Sequence, residues 1–179
     1  INSTGTKVAA PISGERSDIH VFDLESGAST PITRKDVNLH PVWNPDDSTI
    51  VFTKKTLNRN RVMQINSNGS GNLELLFESE GWSLSGEDWS KDGTKISISD
   101  FPKRSGYLAL NEDPPKFHEL VSSDGTTIFG LTFSPNGKWV SYGSSISGGY
   151  SSYIAPIDKP DQAQLITKQY KGSEPMWSP

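Results

Sequence analysis

Apolar and polar residues alternate along this chain in short bursts, and the bursts recur. Segments such as Thr49-Ile50-Val51-Phe52, Asp18-Ile19-His20-Val21-Phe22 and Arg61-Val62-Met63-Gln64-Ile65 are rich in β-branched and aromatic residues. A two-residue alternation sends successive side chains to opposite faces, so these segments predict short strands with one face buried. No stretch keeps a capped 3.6-residue apolar period, which predicts very little helix.

Three strips recur in constant order. The first is an aromatic followed by a tight turn: Trp43-Asn44-Pro45-Asp46-Asp47, Trp89-Ser90-Lys91-Asp92-Gly93, Phe133-Ser134-Pro135-Asn136-Gly137 and, at the end, Trp177-Ser178-Pro179. The aromatics are spaced by 46, 44 and 44 residues. Pro presets φ early in such a turn, and Asp, Asn or Gly accepts the awkward later position. The second strip is the alternating strand at Asp18 to Leu24, Arg61 to Ile65, Tyr107 to Leu110 and Tyr153 to Ile157. The third lies further on, at Ser29 to Thr33, Leu73 to Phe77, Phe117 to Val121 and Ala163 to Thr167.

Four short strands in about 44 residues is the spacing of a propeller blade. The fold class expected is therefore all-β, a β-propeller of four-stranded antiparallel blades, with about four repeat units in one domain over 1–179. The units run approximately 1–39, 40–86, 87–130 and 131–173, and 174–179 starts or closes a further blade. Trp43, Trp89, Phe133 and Trp177 are expected to be structural anchors packed between neighbouring blades. Counting 19 residues back from Ile19 falls just before Ile1, so the first unit is expected to lack its own aromatic turn. Read circularly, Trp177-Ser178-Pro179 followed by the strand Lys7-Val8-Ala9-Ala10 would restore one blade.

Composition narrows the function classes. The chain has 179 residues, a net charge of −4 and no cysteine. A mildly acidic protein is not built to coat nucleic acid or an anionic membrane. No apolar run approaches the roughly 18 residues of a membrane helix, so no membrane insertion is expected. Disulfides, thiolate metal sites and a cysteine nucleophile are excluded.

The runs "HPVWNPDDSTIVFTKK", "EDWSKDGTKISIS", "LTFSPNGKWVSYG" and "EPMWSP" resemble the WD40-like repeats of the TolB-type β-propeller. Similar repeats occur in propellers attached to prolyl-oligopeptidase-like peptidases and to some bacterial kinases. The resemblance covers nearly the whole chain and implies a bacterial, extracytoplasmic setting. Such propellers usually carry six or more blades, so it also implies a fragment of a larger propeller, a four-bladed ring or completion between copies. Asp47 stands where the usual turn has Gly, Lys91 where it has Pro, and Asn136 where it has Asp.

No constellation of catalytic, cofactor-binding or metal-ligating residues emerges. Asp46, Asp47, Asp92 and Asn136 supply one or two oxygens per turn, whereas calcium needs six to eight converging ones; they are expected to cap the turns. Gly81-Trp82-Ser83-Leu84-Ser85-Gly86 and Gly143-Ser144-Ser145-Ile146-Ser147-Gly148 do not match G-x-S-x-G. His20, His40 and His118 fall at different places in the repeat and form no triad or metal cluster. Candidate partner contacts are the basic run Lys54, Lys55, Arg59 and Arg61, the out-of-register Trp82, and Tyr150. The function expected is a non-enzymatic module, scaffold or sensor, that binds a protein or small ligand at its loop face. One alternative is an accessory propeller of a peptidase or kinase. The other is a structural unit that completes its blades between chains, a homo-oligomer formed through open blade edges.

Overall fold

A computed structural model describes residues 1–14, 16–80, 83–101, 104–122, 127–145, 149–167 and 175–178. The strands are β1 (Lys7–Ser13), β2 (Ser17–Asp23), β3 (Ser29–Pro31), β4 (Val37–Trp43), β5 (Thr49–Lys55), β6 (Asn60–Asn66), β7 (Glu74–Ser79), β8 (Ser83–Trp89), β9 (Lys95–Phe101), β10 (Arg104–Ala109), β11 (Lys116–Ser122), β12 (Ile128–Phe133), β13 (Trp139–Ser144), β14 (Ser151–Pro156) and β15 (Gln164–Leu165). Helical structure among the described residues is limited to a 3-10 turn at Pro160–Gln162, as the missing 3.6-residue period predicts.

The strands form antiparallel sheets of consecutive elements. β8 to β11 make one four-stranded sheet and β12 to β15 another. β4 to β7 make a third, joined to β1, β2 and β3 through a single parallel bridge between Ser17 and Val37. Each sheet is a blade, and the first blade contains three strands here. Contacts divide the chain into two compact units, Ile1–Glu80 with Leu84–Gly86, and Gly81–Ser83 with Glu87–Pro179.

In the first unit, Ile19, Val21 and Ile32 of blade 1 pack against Ile50, Phe52, Met63 and Ile65 of blade 2, with Trp43 resting on the cluster. In the second, Ile128, Leu131, Phe133, Val140, Tyr142 and Ala155 of blade 4 receive Tyr107, Leu120 and Val121 of blade 3. Burial of aliphatic faces between successive blades is the main stabilising contribution.

The strand before the aromatic carries a recurrent irregularity. Pairing of β4 with β5 shifts between Leu39 and Val42, and pairing of β12 with β13 shifts between Phe129 and Thr132. His40 (φ 52°) and Gly130 (φ 62°) sit at these shifts, each three residues before its aromatic. An extra residue in one strand forms a bulge whose left-handed backbone suits Gly, so His40 accepts strain that Gly130 avoids.

Candidate functional site

Each blade has two ends with different chemistry. One carries the aromatic and its turn, between the first and second strands. The other carries the hairpin between the second and third strands.

The turn end is built by one six-residue hydrogen-bond pattern. In Asn44 to Thr49, the Asn44 N–H donates to the Thr49 carbonyl (3.0 Å), the Asp47 N–H to the Asn44 carbonyl (3.1 Å), and the Thr49 N–H to Asn44 Oδ1 (3.0 Å). Ser90 to Lys95 and Ser134 to Trp139 repeat it, with the serine Oγ in place of the amide oxygen. The fourth residue is left-handed each time: Asp47 (φ 62°), Gly93 (φ 70°) and Gly137 (φ 66°). Asp47 thus occupies a glycine backbone position, as its place in the motif predicts.

The structure adds an instance that corrects the sequence reading. Asn2 to Lys7 make the same pattern: Asn2 N–H to the Lys7 carbonyl (2.9 Å), Gly5 N–H to the Asn2 carbonyl (3.1 Å), and Lys7 N–H to Asn2 Oδ1 (2.8 Å). Gly5 is left-handed at φ 71°. The first unit therefore keeps its turn, with Ile1 at the aromatic position, and Trp177-Ser178-Pro179 would duplicate Ile1 to Ser3 rather than complete them. The count failed because the β1–β2 connection, 14–16, is one residue shorter than the β5–β6 connection, 56–59.

The turn acids act as caps. Asp46 Oδ1 accepts from the Ser48 N–H (2.8 Å) and from Asn44 Nδ2 (2.6 Å). Asp92 Oδ1 accepts from Ser90 Oγ (2.6 Å) and from the Thr94 N–H (3.0 Å) and Oγ1 (2.8 Å). Asn136 does the same with Ser134 Oγ and the Lys138 N–H. The donated Ser90 and Thr94 hydrogen bonds hold the Asp92 carboxyl down to about 2, against an ordinary 3.8. A carboxyl lowered on folding stabilises the native state above its unfolded pKa, and the contribution is lost as pH falls through the folded value. Acid unfolding of wild type is therefore expected to carry a component between pH 4 and about 2 that Asp92→Asn lacks. Stability measured by denaturant titration across that window checks it.

Contacts at the repeat offset stitch blades together within each unit. Asp88 Oδ2 accepts the Phe133 N–H (2.8 Å), and Glu87 Oε2 accepts the Leu131 N–H (2.7 Å) and, within its own blade, Ser99 Oγ (3.0 Å). Burial pushes the Asp88 carboxyl up despite these donors. Trp177 Nε1 donates to the Thr132 carbonyl (3.2 Å). Asp47 reaches back 44 residues to Ser3, accepting its N–H and Oγ (both 2.8 Å), and also accepts Asn2 Nδ2 (3.1 Å). Glu87 and Asp88 match no site motif, so their roles are not legible in the sequence. Of the anchors, Trp89 and Phe133 are buried, while Trp43 and Trp177 are half-buried.

At the hairpin end of blade 2 the basic run is partly neutralised. Lys54 Nζ pairs with Asp36 (2.7 Å). Arg59 and Arg61 grip the two oxygens of Glu78, Arg61 Nε at 2.5 Å, and Arg59 also reaches Glu80 (3.3 Å). Lys55 has no acidic partner among the described residues. Asp36, Val37, Lys55, Leu57, Arg59 and Arg61 line much of an open groove of about 860 Å³. Leu57 at the hairpin tip is fully exposed. Tyr150 lies at the corresponding end of blade 4, half-exposed with its ring edge-on to Phe129 (5.6 Å). Trp82 lies outside the described residues.

The histidines make separate local contacts. His20 bonds Ser29, His40 sits at the bulge, and His118 bonds Glu112 (2.5 Å) while stacking on Tyr107. Among the described residues, no group of three or more His, Asp or Glu side chains could hold a metal ion. Nor, among the described residues, is any helix long and apolar enough to cross a membrane.

Successive antiparallel sheets of consecutive strands, four-stranded from the second blade on and each carrying the same turn, define a β-propeller. The chain belongs to the TolB beta propeller domain family, whose model matches residues 3–179. Among solved structures it is similar to TolB from Acinetobacter baumannii, at 20% identity and a TM-score of 0.75 over 92% of this chain and 41% of that one. It is also similar to a putative TolB from Agrobacterium tumefaciens, at 15% identity and a TM-score of 0.76 over 94% of this chain and 60% of that one. A third likeness is to prolyl oligopeptidase B from Galerina marginata, at 12% identity and a TM-score of 0.64 over 92% and 27%. The chain thus spans less than two thirds of the length of each of these proteins. No curated protein sequence matches it.

Proposed function

We propose that this chain is a non-catalytic binding module that presents the hairpin ends of its blades to a protein partner. The groove on blade 2 carries the reading. It places a fully exposed Leu57 between Lys55, which has no acidic partner among the described residues, and two arginines already oriented by Glu78. An exposed apolar side chain beside a lysine without an acidic partner suits a partner segment that pairs an apolar residue with a carboxylate. Pre-oriented guanidinium groups lose less freedom on binding than free ones.

The test is selection of peptides from a random display library on the chain, followed by affinity measurement on the double variant Lys55→Glu, Leu57→Ser. Both residues are exposed, so the variant is expected to keep wild-type stability within about 0.5 kcal/mol. Selected peptides are expected to share an acidic residue beside an apolar one and to bind the double variant at least tenfold more weakly. Peptides that bind both proteins equally would refute the assignment.

A further inference from the structure

The two turn-end joints that lie within single units differ at one atom group. Between blades 1 and 2 the joint is closed by a carboxylate: Asp47, fourth in its turn, receives the N–H and Oγ of Ser3, second in the preceding turn. Between blades 3 and 4 the fourth position is Gly137 and the second is Lys91. Among the described residues, nothing lies within 4 Å of where a Cβ on Gly137 would stand. The space is a cleft of about 280 Å³ lined by Ser90, Lys91, Asp92, Pro135, Asn136 and Gly137.

We propose that this cleft is a carboxylate-binding site, in which an external carboxylate takes the place that Asp47 fills one joint away. The Lys91 N–H and Nζ are the donors, matching Ser3 N–H and Oγ; among the described residues neither has a partner. One donor of the closed joint is not reproduced. Asn2 Nδ2 reaches Asp47 (3.1 Å), whereas its equivalent, Ser90, spends its hydroxyl proton on Asp92. The charged groups on the two turns are Lys91, Lys95, Lys138 and Asp92. Asp92 Oδ1 is occupied by three donors and its Oδ2 lies 3.8 Å from Lys95 Nζ. An arriving carboxylate therefore meets a net positive field, and the ammonium supplies what the serine hydroxyl supplies at the other joint. The same chemistry serves a free carboxylate or an acidic side chain of a protein.

The experiment is a two-dimensional ¹H–¹⁵N NMR titration of the whole chain with acetate, and separately with an end-blocked Gly-Asp-Gly peptide, at ionic strength fixed by chloride. The Lys91 amide is expected to shift downfield and saturate with both probes. Tighter binding of the peptide would assign the site to a protein side chain, and equal binding to free carboxylates. Gly137→Asp, which carries its own carboxylate into the cleft as Asp47 does, is expected to show the shifted Lys91 amide without ligand and no further response. Lys91→Gln keeps the N–H and is expected to bind about two- to fivefold more weakly. If Gly137→Asp fails to fold, Lys91→Glu serves instead and is expected to abolish the response. A Lys91 amide that moves as much with chloride as with acetate, or that responds unchanged in these variants, would overturn the site.

Discussion

Replacing Trp89 with alanine is expected to destabilise the chain by about 3–5 kcal/mol, the cost of emptying a buried aromatic site. Trp89 is 9% exposed at the end of β8. Among the described residues its buried indole N–H has no hydrogen-bond partner, so the residue contributes through packing and not through its polar atom. The two contributions separate cleanly. Trp89→Phe keeps most of the packed area and removes the unsatisfied donor, and it is expected to cost about 1 kcal/mol or less, because the smaller cavity is offset by relief of that donor. Denaturant unfolding of the two variants decides. Equal losses would mean that the indole N–H matters; negligible loss in Trp89→Ala would mean that the aromatic is a surface feature.

Gly106→Ala is expected to cost about 3 kcal/mol, at the upper end for overpacking. Gly106 lies in β10, where pairing with β11 shifts between Ser105 and Gly106. A Cβ there would stand 2.0 Å from the His118 carbonyl oxygen and 2.9 Å from Glu119 Cα, both backbone atoms of the neighbouring strand. Backbone held in a strand ladder cannot swing aside as a side chain can, so β11 must separate from β10 or the bulge must be remade. Gly93→Ala is the control. Its Cβ would meet nothing within 4 Å among the described residues, and its left-handed φ of 70° leaves only conformational strain. That strain is expected to cost about 1–2 kcal/mol. A Gly106→Ala variant no worse than Gly93→Ala would show that the bulge is not a point of close approach.

The blades were legible in the sequence because strand alternation, turn residues and aromatic spacing all agree at one period. Asp47 could be placed at a glycine position from the motif alone. Its reach to Ser3 could not, because contacts between repeats depend on how successive blades pack and leave no local trace. The turn at Asn2 escaped for two local reasons: an aliphatic residue stands at the aromatic position, and the following hairpin is one residue shorter. Asn2 and Gly5 at an offset of three, with a strand next, were the available signs. The basic run looked like a free patch because its acidic partners come from other strands. Strand register would have shown otherwise for Arg61, which lies directly opposite Glu78. The groove and the exposed Leu57 became visible only in three dimensions, since hairpin tips carry little sequence pattern.

Binding at the hairpin end of the blades, as proposed above, leaves a footprint that can be read residue by residue. Residue-resolved amide hydrogen exchange, with and without a peptide selected on the wild-type chain, tests it most directly. Slower exchange on binding is expected at Asp36, Val37 and the segment from Lys55 to Arg61, with the turn from Asn44 to Thr49 unchanged. Protection centred on the turns, with the hairpin of blade 2 unaffected, would contradict it.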